Sequence, residues 1–122
     1  MIVGIGTDMV ENNRIKEACN REAFMKRCFT GQEQKLIAEN PEKASGNFAV
    51  KEAVSKAFGT GFRQIRLMDI EVLRDELGKP YVNLYGAAKA LAEELRIGCI
   101  HVSISNTSLY TIAYVVAEEE LC

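Results

Sequence analysis

The sequence predicts an α+β fold in which a mainly antiparallel sheet packs against helices, and three observations predict it. First, Phe48, Ala49, Ala53 and Ala57, with Val50 and Val54 beside them, recur at helical spacing, so one side of a long helix faces a core. Second, Ile100 to Ser105 and Tyr110 to Ala117 read as strands joined through Asn106-Thr107-Ser108 as a hairpin. Third, two shorter strands, Asp69 to Leu73 and Tyr81 to Leu84, flank the turn Asp75-Glu-Leu-Gly-Lys-Pro80.

The other elements follow in chain order. Ile2 to Ile5 is a short apolar run ending at Gly6-Thr7-Asp8, the pattern of a buried strand that delivers Asp8 at its end. Asn12 or Asn13 caps a helix beginning near Arg14, and Asn20 interrupts it. Thr30-Gly31-Gln32-Glu33 has capping-box spacing and opens a short helix through Leu36 and Ile37. The long helix runs from about Glu42 to Phe58. Gly86 to Arg96 is an amphipathic helix with Ala87, Leu91 and Leu95 as its core stripe. Alternation in the strand from Ile100 puts Ile100, Val102 and Ile104 on one face and His101, Ser103 and Ser105 on the other, a polar ladder. The last strand is apolar on both faces, which implies burial on both sides and therefore self-association of so small a chain.

At 122 residues the chain is one domain, residues 1–122, with a single core. Its hydrophobic fraction of 48% and charged fraction of 26% are those of an ordinary globular protein. No apolar run is long enough for a transmembrane helix, and the start lacks the basic region of a signal peptide, so a cytoplasmic setting is expected. Cys19, Cys28, Cys99 and Cys122 show no C-x-x-C spacing, which argues against a zinc site or a disulfide framework. A net charge of −2 excludes nucleic-acid binding driven by overall charge. Basic residues gather locally all the same: Arg14, Lys16, Arg21, Lys26 and Arg27 are set against only Glu17 and Glu22. Such a stretch is either a solvated face or a patch for an acidic partner.

Glu52, Lys56 and Gly59 recur at i, i+4 and i+7 of the long helix, away from its apolar stripe. The Gly59-Thr60-Gly61 turn follows that helix, so it lies at the negative C-terminal end, where a bound phosphate needs a lysine or a metal to neutralise it. Asp8 and Glu52, two carboxylates with open positions, suit Mg²⁺, which takes its other ligands from water and substrate phosphates. Lys56 then balances phosphate charge. The same spacing equally serves a surface ion pair, Glu52 with Lys56, with Gly59 as helix terminator. His101, the only histidine, is structural in most strands, but a polar ladder with Ser103 and Ser105 favours a site.

These residues carry a resemblance. Gly4-Ile-Gly-Thr-Asp8-Met-Val-Glu-Asn-Asn-Arg14-Ile resembles the N-terminal signature of the holo-acyl-carrier-protein synthases, the small 4′-phosphopantetheinyl transferases. Phe48-Ala-Val-Lys-Glu-Ala with Lys56-Ala-Phe-Gly-Thr-Gly61 resembles their central signature. Asp75-Glu-Leu-Gly-Lys-Pro80 and His101-Val-Ser-Ile-Ser105 match the other two in order and spacing, so the resemblance spans nearly the whole chain. It implies a 4′-phosphopantetheinyl transferase-like fold and a trimer with sites at subunit interfaces. The implied reaction is transfer of phosphopantetheine from coenzyme A to a serine of apo-acyl carrier protein, a step of fatty acid biosynthesis that releases adenosine 3′,5′-bisphosphate.

By the same resemblance, Asp8 and Glu52 bind Mg²⁺, Lys56 contacts the coenzyme diphosphate, and Gly59, Thr60 and Gly61 let the coenzyme approach the backbone. His101, Ser103 and Ser105 line the site, Lys79 and Pro80 lie near the adenine, and Arg14 faces the acidic carrier, with Arg21, Lys26 and Arg27 extending that patch. Glu52 or a metal-bound water accepts the serine proton, and the sequence does not choose between them. Asn47 and Asn106 stand where many members have an arginine and a second histidine that hold the 3′-phosphate of the coenzyme, so a weaker hold there is expected. Two rival readings use the same residues: a non-catalytic small-ligand-binding module and a Mg²⁺-dependent phosphohydrolase.

Overall fold

The structure is a computed structural model that describes residues 1–59 and 65–119. Its elements run β1 (Ile2–Glu11), α1 (Asn12–Ala18), α2 (Glu22–Cys28), α3 (Gly31–Glu39), α4 (Lys43–Ala57), a 3₁₀ turn (Leu67–Asp69), β2 (Ile70–Arg74), β3 (Pro80–Leu84), α5 (Gly86–Glu94), β4 (Ile97–Asn106) and β5 (Tyr110–Glu119). Every described strand pair is antiparallel, as expected, but the strands form two sheets: a three-stranded one in the order β1-β5-β4 and the hairpin β2-β3.

Alternate residues of a strand share a face. On β1 one such set is Gly4, Gly6, Asp8 and Val10, and helix α4 lies directly over its first half. A Cβ at Gly4 would sit 2.0 Å from the Ala57 carbonyl oxygen, and one at Gly6 would sit 1.9 Å from that of Ala53. Both obstacles are helix backbone, so only glycine permits this approach. Strand β1 therefore does not end near Asp8 as the sequence suggests. It pairs with β5 as far as Glu11 opposite Tyr110, and Asp8 lies within it, opposite Ala113. The glycines serve the helix contact and leave the strand unbroken.

Helix α4 carries more than one apolar stripe. It packs on the three-stranded sheet and also on β2, so Val50 and Val54 are as fully buried as Ala49 and Ala53. A second cluster, Ile15, Phe24, Cys28, Phe29, Ile37 and Ala44, fills the space among α1 to α4. Two expectations shift by small amounts. Helix α1 starts at Asn12 without a side-chain cap, and the Asn12 amide instead donates to the Thr107 and Ser108 carbonyls at the β4–β5 turn. In α5 the buried residues are Ala88 and Ala92 with Leu91 and Leu95 against them, and Ala87 is exposed.

The capping box at Thr30 and Glu33 is present as predicted. Its glutamate does more than cap, because both Glu33 and Lys51 are fully buried and form an ion pair of 2.7 Å. Glu33 also accepts from the Thr30 and Val72 amides and from Asn47 Nδ2, and Lys51 donates to the Leu67 and Ile70 carbonyls. Burial pushes the Glu33 pKa up and the Lys51 pKa down, and each is opposed by the charge of its partner. Cys19 and Cys28 are free, but Cys99 is disulfide-bonded, a tertiary pairing that spacing along the chain does not reveal. No helix among the described residues is long and apolar enough to cross a membrane.

Candidate functional site

The α4–β1 contact decides which side chains meet. Ala53 and Ala57 touch the glycines, so Glu52 and Lys56, each one residue earlier, come to the edge of the same contact beside Asp8. Lys56 Nζ donates to Asp8 Oδ1 at 3.3 Å and to the Thr7 carbonyl at 3.0 Å. The Asp8 side chain is 17% exposed and that of Lys56 54%, so the pair opens to solvent on the lysine side. Glu52 is half-buried. Burial raises its carboxyl pKa, the Asp8 charge raises it further, and Lys56 acts the other way.

Two carboxylates that repel each other beside one shared ammonium form a hard-oxygen donor set that fits Mg²⁺. The predicted ion pair of Lys56 is thus real, but its partner is Asp8 in place of Glu52. Gly59 ends the helix with φ of +80°, a backbone that favours glycine. Thr60 and Gly61 lie outside the described residues.

A groove of about 670 Å³ opens beside α1 and the end of β1, lined by Met9, Ile15, Phe24 and Phe48, with Arg14 and Arg21 and the acids Glu11 and Glu17 among them. Phe48 is one turn before Glu52, and Met9 follows Asp8. Of the predicted basic patch, Arg14 and Arg21 share this groove. Lys26 and Arg27 do not line it, and Lys26 pairs with Glu22 at 2.8 Å in an exposed i, i+4 bridge.

His101 is not brought to Asp8 and Glu52 within one chain. It sits on β4 opposite Val116, on the sheet face turned away from α4, and Ser103 and Ser105 follow it there. His101 Nε2 lies 2.9 Å from Glu118 Oε1 and 3.3 Å from Cys99 Sγ, and candidate ligand atoms of these three residues lie within 4.8 Å of one another. The disulfide at Cys99 commits that sulfur, so the trio offers a metal only two ligands. Lys79 and Pro80 lie at the β2–β3 turn, where Asp75 Oδ1 accepts from the Leu77 and Lys79 amides.

Asn47 is corrected. It is fully buried, donates to Glu33 Oε2 and the Val72 carbonyl, and accepts from Arg74, so it does not reach a ligand. Sequence reasoning missed Lys51 and Arg74. The signal for Lys51 was its place among the apolar residues of α4, the wrong side for a solvated lysine.

The family model described as the 4′-phosphopantetheinyl transferase superfamily matches residues 4–114. A holo-[acyl-carrier-protein] synthase of Lachnoclostridium phytofermentans is 59% identical over 118 residues, covering 97% of each chain. Among solved structures, the holo-[acyl-carrier-protein] synthase of Neisseria meningitidis superposes with a TM-score of 0.87 at 35% identity, covering 98% of this chain and 100% of that one. A holo-(acyl-carrier-protein) synthase of Bacillus anthracis, solved in complex with CoA (3′,5′-ADP), gives 0.81 at 35% identity, covering 98% and 99%.

The raised Glu52 pKa has a consequence for stability. Between the usual carboxylate value and the raised one, the folded chain holds a proton that the unfolded chain has lost, so stability falls as pH rises through that window. Glu52→Gln removes the opposed charge. In chelator-treated protein it is expected to melt higher than wild type at neutral pH, with the difference shrinking as pH drops below the usual carboxylate range. Thermal unfolding across pH measures this, and a lower melting temperature for the variant at neutral pH would contradict it.

Proposed function

The chain belongs to the 4′-phosphopantetheinyl transferase superfamily as an enzyme of the holo-[acyl-carrier-protein] synthase kind, and we propose that it moves phosphopantetheine from coenzyme A to a serine of an apo-acyl carrier protein with Mg²⁺, releasing adenosine 3′,5′-bisphosphate. The observation that carries this reading is the Asp8–Glu52–Lys56 cluster at the α4–β1 contact.

Phosphoryl transfer asks a protein mainly for positioning and charge neutralisation. Asp8 and Glu52 would hold Mg²⁺, which supplies Lewis-acid neutralisation of the diphosphate oxygens when bound. Lys56, whose ammonium now rests between Asp8 and the Thr7 carbonyl, turns to the diphosphate. Glu52, a carboxylate beside the diphosphate contact of Lys56, is the chain's own candidate for taking the serine proton. Gly59, with Thr60 and Gly61, passes the coenzyme close to backbone, and Lys79 and Pro80 lie against the adenine. Arg14 and Arg21 attract the acidic carrier, whose apolar residues enter beside Phe24 and Phe48.

The assembly reading is a homotrimer. The sheet face opposite α4 exposes Ile5, Met9, Ile112 and Tyr114, an apolar surface that symmetry mates would cover, and the number three follows from the family resemblance. The same face carries His101, Ser103 and Ser105, so burial between copies would bring them from one subunit to the Asp8–Glu52 cluster of the next.

Incubation with coenzyme A, Mg²⁺ and an apo-carrier, read by mass spectrometry, separates the readings. A phosphopantetheine mass gain on the carrier supports transfer, phosphate release alone supports the phosphohydrolase, and no change supports the binding module. In that assay Asp8→Asn should lose activity by about a hundredfold or more, as expected when a placed charge is removed from a phosphoryl-transfer site. Arg14→Glu should raise the carrier KM and leave that of the coenzyme nearly unchanged. Activity that survives a chelator overturns the metal. Sedimentation should give three times the chain mass, and a monomer at working concentration overturns the assembly.

A further inference from the structure

Strand register assembles a second cluster on the sheet face turned away from α4. Cys99 and His101 are two residues apart on β4 and share a face, and Glu118 on β5 pairs directly opposite Cys99. His101 Nε2 therefore lies 2.9 Å from Glu118 Oε1 and 3.3 Å from Cys99 Sγ. One candidate ligand atom from each of the three falls within 4.8 Å of the others. The two strands are paired throughout this stretch, so all three side chains rise from one rigid ladder.

A thiolate, an imidazole and a carboxylate are zinc ligands, and the spacing suits that ion. Tetrahedral Zn²⁺, with bonds of about 2.0–2.1 Å to nitrogen and oxygen and about 2.3 Å to sulfur, keeps neighbouring ligand atoms roughly 3.3–3.6 Å apart. The two measured edges reach those values with shifts of roughly half an ångström or less. Cys99 is buried, while the side chains of His101 and Glu118 are 54% and 42% exposed, so the cluster has a closed floor and an open mouth. Sulfur and imidazole also select zinc over magnesium, the reverse of the two carboxylates at Asp8 and Glu52.

We propose that Cys99, His101 and Glu118 form a Zn²⁺ site that opens when the Cys99 disulfide is reduced and closes when it reforms. The proposal does not rest on the transfer reading. With the disulfide in place the Cys99 sulfur is committed, and two ligands remain. A dithiol reductant cleaves the S–S bond with two electrons and two protons, leaving two protein thiols and the reductant as its own disulfide. The Cys99 thiol then gives its proton to solvent as its sulfur bonds the metal, and the fourth position is left to water or to the thiol released with it. A disulfide oxidant takes the two electrons back, the sulfurs pair again and the ion leaves.

The test titrates the untagged full chain with Zn²⁺ alone, once oxidised and once reduced with the reductant removed under anaerobic conditions, against a competing zinc indicator. Reduced wild type should bind one ion per chain and melt higher with zinc than without. The oxidised protein should bind about a hundredfold more weakly. His101→Ala and Glu118→Gln, both changes at exposed side chains, should each weaken the reduced site by at least the tenfold to hundredfold lost when a metal's outer shell is altered. With Co²⁺ as the probe, reduced wild type should show a sulfur-to-cobalt absorption band that Cys99→Ser lacks. Equal zinc affinity in the oxidised and reduced protein overturns the inference. So does a cobalt band of full strength in His101→Ala, which would put the metal on the other thiols. If Cys99→Ser does not fold, His101→Ala and Glu118→Gln decide, and wild-type affinity in both overturns the site.

Discussion

The contact between α4 and β1 is the constraint on which the rest depends. Two backbones approach until no Cβ fits between them at Gly4 or Gly6, and this distance places Asp8 on the strand against Glu52 and Lys56 on the helix. Side chains alternate along a strand, so a slip of one residue in the pairing of β1 with β5 would turn Asp8 to the opposite face and dismantle the cluster. The site is therefore a property of register and of missing side chains as much as of the acids themselves.

On its other side α4 is clamped by Lys51 and Glu33. Such a pair is expensive to bury, and it persists here because hydrogen bonds satisfy the remaining donors of the lysine and both oxygens of the glutamate. Removing one partner of a buried pair costs about 3–5 kcal/mol, so the clamp is firm against single loss. Glu52 is the next residue after Lys51. A rigid buried lysine thus fixes the rotation of the helix, while the neighbouring glutamate is held where its charge is opposed. Stability in one residue supports strain in the next, the arrangement expected of a working site.

What the sequence disclosed follows from which interactions are local. The capping box at Thr30, the β4–β5 hairpin and the common spacing of Glu52 and Lys56 depend on neighbours in the chain, and each is present in the structure. The length of β1 was not legible, because Gly6 reads as a terminator until the helix above it is known. The roles of Asn47 and Arg74 were not legible, since their partners lie 14 to 27 residues away, and Lys51 showed only as a lysine among the apolar positions of α4. In α5 Leu91 and Leu95 were placed on the core as found, and only Ala87 was taken for Ala88, two residues alike in composition that packing alone separates. His101 was correctly set on a ladder with Ser103 and Ser105. That its face points away from Asp8 depends on sheet order, and alternation alone does not give sheet order.

The most direct measurement is the thermal melt and transfer rate of Gly6→Ala, since one methyl group there strikes the Ala53 carbonyl and must push α4 from β1. A lower melting temperature and transfer slower by about a hundredfold are expected, the effect of a displacement of about 1 Å among groups that must be aligned. A variant that melts and transfers like wild type would contradict it, because Asp8 and Glu52 would then meet without the close approach.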